Sequence, residues 1–309
     1  MIVTGPTGFV GRHLVEKLLA DGIHVTALTN ENSGPASAGI EWTPARDARE
    51  GRAKGLFFEA TALFNCAGKV SAPGAMNDAN VELVRDLVSA VRGRHLHWVQ
   101  LGSIGVYGRY RTGVVDEDAA VEPSNLYERT KAAADDVLMK EAAAGGIHLT
   151  ILRPSMVFGD DMPSRWLTAL IDSLGGQRPL LLAGGRGILP LVYIANLVEG
   201  LLACARRDPA RPRVFNLSEA LTVHRLMEIV GELTGVKQRP VSIPGPIAWL
   251  AAETLGRFPG FPLTPSRYEA LTRMVEYPTE RLKKETVYLP PMSVEDGVRE
   301  VASAWRKRS

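Results

Sequence analysis

Val3-Thr4-Gly5-Pro6-Thr7-Gly8-Phe9-Val10-Gly11 is a short apolar run followed by three evenly spaced glycines, and it decides the fold prediction. The spacing G-x-x-G-x-x-G is a variant of the glycine turn that binds dinucleotide phosphates between a strand and a helix. Gly5 permits the tight turn, Gly8 lets the backbone approach a pyrophosphate, and Gly11 lets the helix pack closely. The free N–H groups at the helix start favour phosphate charge. The stretch predicts a nucleotide-binding strand–turn–helix; the alternative is an ordinary glycine turn.

Short apolar runs alternate with helical patterns along the first half of the chain. Strands are predicted at residues 2–4, 23–28, 40–43, 62–66, 96–101 and 149–152. Helices are predicted between them at residues 11–20, 80–91 and 126–144. Because strand–helix–strand alternation gives a parallel sheet covered on both faces, the predicted fold class is α/β with a doubly wound sheet. After Arg153-Pro154 proline and glycine recur, and helices are predicted at 164–174, 196–206, 223–234, 247–255 and 294–305.

Composition excludes several classes of protein. The chain has 309 residues, with 36 Lys and Arg against 34 Asp and Glu, and its arginines are scattered, so nucleic-acid binding is not predicted. Two cysteines cannot form a disulfide framework, which favours a reducing compartment and a cytoplasmic location. The uncharged run between Arg239 and Glu253 is shorter than the roughly 20 apolar residues of a spanning helix. No membrane insertion is predicted.

A tyrosine and a lysine four residues apart lie in a strongly helical stretch. This spacing puts Tyr127 and Lys131 on one helix face, where the ammonium would favour the phenolate and lower the tyrosine pKa. Lys131 can also donate to ribose hydroxyls. Ser103 closes the fifth apolar strand, at the carboxyl edge where open α/β sheets bind ligands, and its hydroxyl can orient a substrate carbonyl. Each of these residues, taken alone, also fits an ordinary packing or turn position.

Matching segments occur in a fixed order: Thr4-Gly5-x-x-Gly8-x-x-Gly11, Asn65-Cys66-Ala67-Gly68, Asn80, Ser103, Tyr127-x-x-x-Lys131 and Arg153-Pro154-x-x-Val157. Together they resemble the extended short-chain dehydrogenase/reductase superfamily, and within it the NAD-dependent epimerase/dehydratase branch. Residues 191–197 resemble the second-lobe strand and helix of that branch. The resemblance implies a Rossmann-type domain over 1–160 that binds NAD(P), with sheet segments returning near 186–217. It implies that residues 161–309 form mostly a smaller, C-terminal substrate lobe.

The resemblance also implies roles for individual residues. Tyr127 is expected to be the catalytic acid/base, Lys131 its electrostatic partner and Ser103 the hydroxyl that orients the substrate. Asn80 is expected to support the site, although a helix cap is the alternative. The implied cofactor-binding residues are Gly5, Thr7, Gly8, Phe9, Val10, Gly11, Thr29, Asn30, Asp47, Ala48, Cys66, Ala67, Gly68, Leu101, Tyr127, Lys131, Pro154, Ser155 and Val157. The substrate candidates are Lys69, Ser103, Ile104, Met156 and Arg186, and no metal ligands are predicted.

Cofactor type and substrate stay open at this point. The tip of the second strand, Leu28-Thr29-Asn30-Glu31-Asn32, lacks the usual charged marker, and the lack of a nearby cation slightly favours NAD over NADP. The leading hypothesis is an oxidoreductase or epimerase acting on a hydroxyl/ketone carbon of a nucleotide sugar. The alternatives are a dehydrogenase of a non-nucleotide substrate, resembling 3β-hydroxysteroid and dihydroflavonol reductases, and a non-catalytic NAD(P)-binding subunit. A homodimer is expected by analogy alone.

An apolar stretch in the second half bears on the non-nucleotide alternative. It comprises Pro246-Ile247-Ala248-Trp249-Leu250 together with Phe258 and Phe261. Such residues could cap an apolar substrate or contact a membrane surface. Packing inside the small lobe is the expectation.

Overall fold

The computed structural model describes residues 1–29, 38–49, 55–109, 111–207, 211–258 and 263–308. Its centre is a seven-stranded sheet in which every neighbouring pair of strands is parallel. The spatial order of the strands is Arg213–Leu217, His148–Pro154, His97–Leu101, Ala62–Asn65, Ile2–Thr4, Val25–Thr29 and Ile40–Pro44. The order reverses between Ile2–Thr4 and Ala62–Asn65, and such a reversal opens a crevice at the carboxyl edge of the sheet. The predicted doubly wound α/β fold is confirmed.

Helices cover both faces of the sheet and build the second lobe. The α-helices are Phe9–Ala20, Ala45–Arg49, Leu56–Glu59, Pro73–Asn77, Leu83–Val91, Leu126–Ala143, Trp166–Leu174, Ile194–Arg206, Val223–Thr234, Gly245–Leu255, Pro265–Thr272, Glu280–Glu285 and Val294–Arg308. A π-helical segment spans Asp78–Glu82, and short 3-10 turns span Ile104–Tyr107 and Ala183–Gly185.

Alternation along the first strand explains why both faces are covered. Ile2 belongs to the apolar cluster on one face, with Leu63 and Trp98. Val3, the next residue, belongs to the cluster on the other face, with Leu14. Successive strand side chains point to opposite faces, so an all-apolar strand needs a helical layer on each side.

Small sheets extend from the carboxyl edge of the main sheet into the second lobe. Met156–Phe158 follows His148–Pro154 almost directly and pairs in parallel with Ile188–Tyr193, which pairs antiparallel with Glu219–Thr222. Leu180–Leu182 pairs with Val241–Ile243, and Gly113–Val114 pairs with Val275–Glu276. Strand Arg213–Leu217 then returns to the edge of the main sheet. The domain limits at residue 160 remain a prediction.

Differences from the predicted elements are local. The helix predicted over 80–91 continues an earlier helix, Pro73–Asn77, through the π-helical segment. Helix Pro265–Thr272 was not predicted, although its start carries a clear signal, because the Thr264 hydroxyl accepts from the Arg267 N–H and Pro265 follows. No helix in the described ranges is long and apolar enough to cross a bilayer.

The opening glycine turn depends on close backbone contact. Gly5 has a φ of +63°, and a Cβ there would lie 2.8 Å from the Ala67 Cα. A Cβ on Gly11 would lie 2.0 Å from the Gly5 carbonyl oxygen. Since backbone atoms form both obstacles, side-chain movement cannot relieve either contact.

Gly11→Ala is expected to lower the free energy of unfolding by about 1–3 kcal/mol, measured by urea denaturation, because overpacking outweighs the gain in helix propensity. Gly74→Ala is the matched control: Gly74 is also helical, and nothing lies within 4 Å of the added Cβ. The control should leave stability unchanged or raise it by up to about 1 kcal/mol. Wild-type stability in Gly11→Ala would contradict the close-packing account.

Candidate active site

A cleft of about 720 Å³ lies beyond the carboxyl ends of the central strands. One wall comes from the opening glycine turn, the segment after strand His97–Leu101, helix Leu126–Ala143 and the residues after Arg153. The opposite wall comes from Ile188, Pro190 and helix Pro265–Thr272. The cleft therefore lies between the main sheet and the second lobe.

The helix that opens the cleft presents free backbone donors. Phe9–Ala20 starts after Gly8, and within the described chain this start has no side-chain cap and no acidic residue in the first turn. Gly8, Phe9 and Val10 all line the cleft. The first-turn N–H groups of a helix without a cap suit an anion such as a phosphate.

Tyr127 lies in the first turn of helix Leu126–Ala143, where a capping box holds the backbone. The Asn125 Oδ1 accepts from the Glu128 N–H at 3.0 Å, and the Glu128 carboxylate accepts from the Asn125 N–H at 3.3 Å. This reciprocal pair defines where the helix begins and so where the phenol points. The Tyr127 side chain lines the cleft.

Ser103 and Tyr127 are brought together across 24 residues of sequence. Ser103 follows strand His97–Leu101, and its Oγ accepts from the Gly105 N–H at 3.1 Å, which caps a 3-10 turn. Both side chains line the cleft. Burial raises the pKa of Tyr127 above its ordinary value, and the nearby Ser103 hydroxyl only partly opposes this.

Lys131 does not bring the Tyr127 pKa below its ordinary value, contrary to the expectation from their spacing. Its Nζ donates to the Leu101 carbonyl at 2.7 Å, and burial lowers the pKa of the lysine itself. The negative charge of Asp135, one helical turn further on, partly offsets this lowering of the Lys131 pKa. Burial of the Tyr127 phenol raises its pKa, and the Lys131 cation one turn away does not reverse this rise. The phenol therefore keeps its proton at neutral pH.

Asp135 connects Lys131 to a buried polar chain. Its Oδ2 accepts from Arg153 Nε at 3.1 Å and from Arg153 Nη2 at 3.0 Å. Arg153 also donates to the Tyr107 hydroxyl at 2.9 Å, and that hydroxyl donates to Asn216 Oδ1 at 2.9 Å. Helix Leu126–Ala143 is thereby tied to two strands of the main sheet.

Asn80 holds the loop beside the cleft. Its Oδ1 accepts from the Lys69 N–H at 2.8 Å, and its Nδ2 donates to the Lys69 carbonyl at 3.1 Å and to Thr130 Oγ1 at 2.9 Å. Gly68 leaves room for this arrangement, because a Cβ there would lie 3.2 Å from Asn80 Oδ1 and 3.5 Å from Lys131 Nζ. Asn80 thus joins the Gly68 loop to the residue next to Lys131.

A buried polar chain lies beneath the cleft floor. The Thr4 hydroxyl donates to Asn65 Oδ1 and accepts from the Ala67 N–H at 3.2 Å. Asn65 in turn donates to Gln100 Oε1 at 2.8 Å. These bonds tie three neighbouring strands at their carboxyl ends. Cys66, on the floor itself, is a thiol at neutral pH, since burial raises its pKa to about 12.

Most of the predicted site residues surround the cleft. Those that line it are Gly8, Phe9, Val10, Cys66, Gly68, Leu101, Ser103, Ile104, Tyr127, Lys131, Pro154, Ser155, Met156 and Val157. Gly5, Gly11 and Ala67 form the backbone beneath the turn. Thr29 and Asp47 follow at the same sheet edge, and Ala48 belongs to the short helix Ala45–Arg49.

Three predicted residues lie away from the cleft. The side chains of Thr7, Lys69 and Arg186 are exposed and do not line it. The backbone of Lys69 is held by Asn80, whereas Arg186 follows a 3-10 turn of the second lobe. Asn30 lies outside the described residues. Among the described residues, no group of three or more His, Cys, Asp and Glu could hold a metal ion.

The sequence analysis does not identify three charged residues that line the cleft, Arg109, Glu269 and Arg273. Arg109 pairs with Glu269 at 3.4 Å, and Arg273 donates to the Arg109 carbonyl at 2.7 Å and to the Tyr277 hydroxyl at 3.0 Å. These residues are separated by about half the chain, so no local motif joins them.

Ser155 lines the cleft, and its hydroxyl is buried. Its backbone N–H donates to the Leu217 carbonyl at 3.0 Å, but its Oγ has no hydrogen-bond partner within the described part of the chain. An unpaired buried hydroxyl is costly, and a ligand that bonds to it removes the cost. Together with the glycine turn, this orphan hydroxyl fits a bound dinucleotide.

Comparison with known proteins gives relatives across nearly the whole chain. A ketoreductase of a farnesylated dihydroquinoline oxide from Stigmatella aurantiaca is 28% identical over 93% of this chain and 85% of its own length. The dTDP-6-deoxy-L-talose 4-dehydrogenase (NAD(P)(+)) of Kitasatospora kifunensis is 28% identical over 79% of this chain and 82% of its own. Among solved structures, UDP-glucuronic acid 4-epimerase from Bacillus cereus with NAD has a TM-score of 0.74 at 16% identity, covering 99% and 98% of the two chains.

The family-level match covers most of the chain. The NAD dependent epimerase/dehydratase family matches residues 1–218, which contain the glycine turn, Ser103, Tyr127 and Lys131. This protein is therefore an enzyme of the extended short-chain dehydrogenase/reductase type and belongs to the NAD dependent epimerase/dehydratase family.

Proposed function

We propose that this enzyme carries out NAD(P)-dependent oxidation or reduction at a hydroxyl/ketone carbon, with Tyr127 as the acid/base. The observation that carries the proposal is that Ser103 and Tyr127, 24 residues apart in sequence, line the same cleft as the glycine turn. A non-catalytic NAD(P)-binding subunit would not need the phenol and the alcohol to converge there.

Residues around the first helix and after Arg153 would hold the cofactor. The free N–H groups at the start of Phe9–Ala20 would bind its phosphates, and Ser155 Oγ would supply a hydrogen bond to it. When bound, NAD(P) supplies or accepts a hydride at the substrate carbon. NAD remains slightly favoured over NADP on the sequence argument.

Tyr127 and Ser103 handle the proton. In reduction, the phenol donates its proton to the carbonyl oxygen while the carbon gains a hydride, and the Ser103 hydroxyl donates a hydrogen bond to the same oxygen. The buried Lys131 cation, one turn away, stabilises the phenolate that remains. In oxidation the steps reverse, and the phenolate takes the hydroxyl proton as hydride leaves the carbon. Epimerisation would join the two directions with the ketone turned over between them.

A nucleotide-linked sugar is the first substrate class that we propose. Arg109 and Arg273 line the cleft, and planar guanidinium donors suit a diphosphate. The names of the Kitasatospora dehydrogenase and of the Bacillus epimerase agree with this class.

An apolar hydroxy or keto substrate is the second class, and a separate observation favours it. Apolar side chains predominate on the substrate side of the cleft, namely Val70, Ile104, Met156, Ile188, Pro190 and Ala270. The Stigmatella ketoreductase has a farnesylated substrate in its name. Mass spectrometry of ligands that co-purify, followed by turnover assays with nucleotide sugars and with apolar ketones, separates the classes. A cytoplasmic location and a homodimer remain predictions.

Tyr127→Phe is expected to lower kcat about 10²- to 10⁴-fold with the substrate so identified, because the proton donor is lost, while cofactor affinity changes little. Steady-state kinetics and cofactor titration measure the two effects. Tyr288→Phe is the control, since Tyr288 is a buried tyrosine that does not line the cleft, and the turnover of this variant should stay at the wild-type level. Unchanged turnover in Tyr127→Phe would refute the acid/base role.

Ser155→Ala is expected to weaken NAD(P) binding about 5- to 10-fold, because one hydrogen bond to the ligand is lost. The cofactor-free protein should be as stable as the wild type, or slightly more stable, because the hydroxyl removed has no partner among the described residues. Calorimetric titration and urea denaturation measure the two effects. Ser89→Ala, on an exposed helix surface, should change neither quantity. Unchanged cofactor affinity in Ser155→Ala would reject the proposed contact.

The ionisation of Tyr127 gives a test that needs no substrate. In cofactor-free protein, the difference in ultraviolet absorbance between wild type and Tyr127→Phe should show a phenol that ionises above the ordinary tyrosine pKa, because burial disfavours phenolate. Glu128→Gln should lower this pKa, since the Glu128 charge raises it and glutamine preserves the capping box. A Tyr127 pKa below the ordinary value would show that the lysine dominates after all.

A further inference from the structure

Helix Gly245–Leu255 is packed with its large apolar side chains outward. It buries Ala248 and Ala252, one turn apart, whereas Ile247, Trp249 and Leu250 are 60%, 52% and 56% exposed. At 100° per residue, Ile247 and Leu250 lie on the face opposite the two alanines. The expectation that this stretch packs inside the small lobe is therefore wrong for these residues, and Phe261 lies outside the described residues.

Further exposed apolar residues lie before and after this helix along the chain. Leu255 and Phe258 at its carboxyl end are also exposed. Just before it, Val241 pairs across two strands with Leu180, and both side chains are exposed. We define these residues as the docking face: Leu180, Val241, Ile247, Trp249, Leu250, Leu255 and Phe258.

Cations border the docking face, and acidic side chains are scarce on it. Arg178, Arg239 and Arg257 each lie two residues in sequence from a member of the face. Lys237 lies four residues before Val241. All four are exposed, and none has a carboxylate partner among the described residues. Glu253 is the one charged residue between positions 240 and 256. The surface is apolar at its centre and positive at its edge.

The docking face adjoins the cleft. Helix Gly245–Leu255 packs against Pro265–Thr272, and the Tyr268 hydroxyl donates to the Gly245 carbonyl at 3.2 Å. The other side of Pro265–Thr272 contributes Ser266, Glu269 and Ala270 to the cleft wall. One helix therefore separates the exposed apolar surface from the proposed reaction site.

We propose that the docking face binds the surface of a bilayer that contains anionic lipid. A helix with exposed Trp, Ile and Leu next to cations is the arrangement of interfacial membrane segments. Its cations match anionic headgroups, whereas in a two-fold dimer through this face they would meet the same cations of the second copy. The protein would rest on the membrane with its cleft near the lipid surface, where a substrate with an apolar chain is concentrated.

Co-sedimentation with vesicles tests this without any turnover. The full-length protein should bind vesicles of equimolar phosphatidylcholine and phosphatidylglycerol, bind pure phosphatidylcholine much less, and be released partly by salt. The double variant Trp249→Ser, Leu250→Ser should bind the anionic vesicles at least about tenfold less, because two apolar anchors are lost. Arg239→Gln with Arg257→Gln should reduce the preference for anionic vesicles. Val287→Ser with Leu289→Ser, which removes two exposed apolar residues outside the docking face, should bind like the wild type.

Three outcomes would overturn the proposal: no vesicle binding by wild type, equal binding by the Trp249, Leu250 variant, or equal loss in the Val287, Leu289 control. Light scattering measures whether the wild type is a dimer. If it is, and if the Trp249, Leu250 variant is a monomer while the wild type binds no vesicles, the face binds a second copy of the chain instead. The proposed chemistry is tested separately. Tyr127→Phe should bind vesicles normally, and the Trp249, Leu250 variant should turn over a water-soluble substrate normally.

Discussion

The burial of the Lys131 ammonium under the carboxyl edge of the sheet is the constraint on which the site depends. A charged group out of water is costly unless it is bonded and paired. The Leu101 carbonyl supplies the bond, and Asp135 supplies an opposite charge. Asp135 is itself buried and depends on Arg153, which depends on Tyr107. The bonds to Leu101 and Arg153 join two strands of the main sheet to helix Leu126–Ala143.

This chain of buried charges also determines where Tyr127 points. The helix carries Tyr127 one turn before Lys131 and Asp135 one turn after it, so fixing the two charged residues fixes the phenol. The capping box at Asn125 and Glu128 then sets the start of the helix. Ser103 approaches from the neighbouring strand end, and the cleft that it shares with Tyr127 and the glycine turn has space for a cofactor.

Some parts of the site could be predicted because their chemistry is local. The glycine spacing and the Tyr127–Lys131 spacing follow from backbone periodicity, and Ser103 follows from its place at a strand end. Asp135 could have been found in the same way, since it continues the helical face at four-residue steps. Arg109 and Arg273 could not, because they meet only through the packing of the second lobe. Lys69 and Arg186 are predicted from their charge and from their places in loops, but both side chains are exposed to solvent.

Taken by itself, the sequence determined the layer order, the strand–turn–helix that accepts a dinucleotide and the candidate acid/base. These features depend on periodicity and on residues a few positions apart. Such spacing acts through the local backbone and does not depend on how distant parts of the chain pack. Only the tertiary structure decided the protonation of Tyr127 and the outward direction of Ile247, Trp249 and Leu250. A pKa and an exposure depend on which distant groups replace water around a side chain, and that is a property of packing rather than of local order.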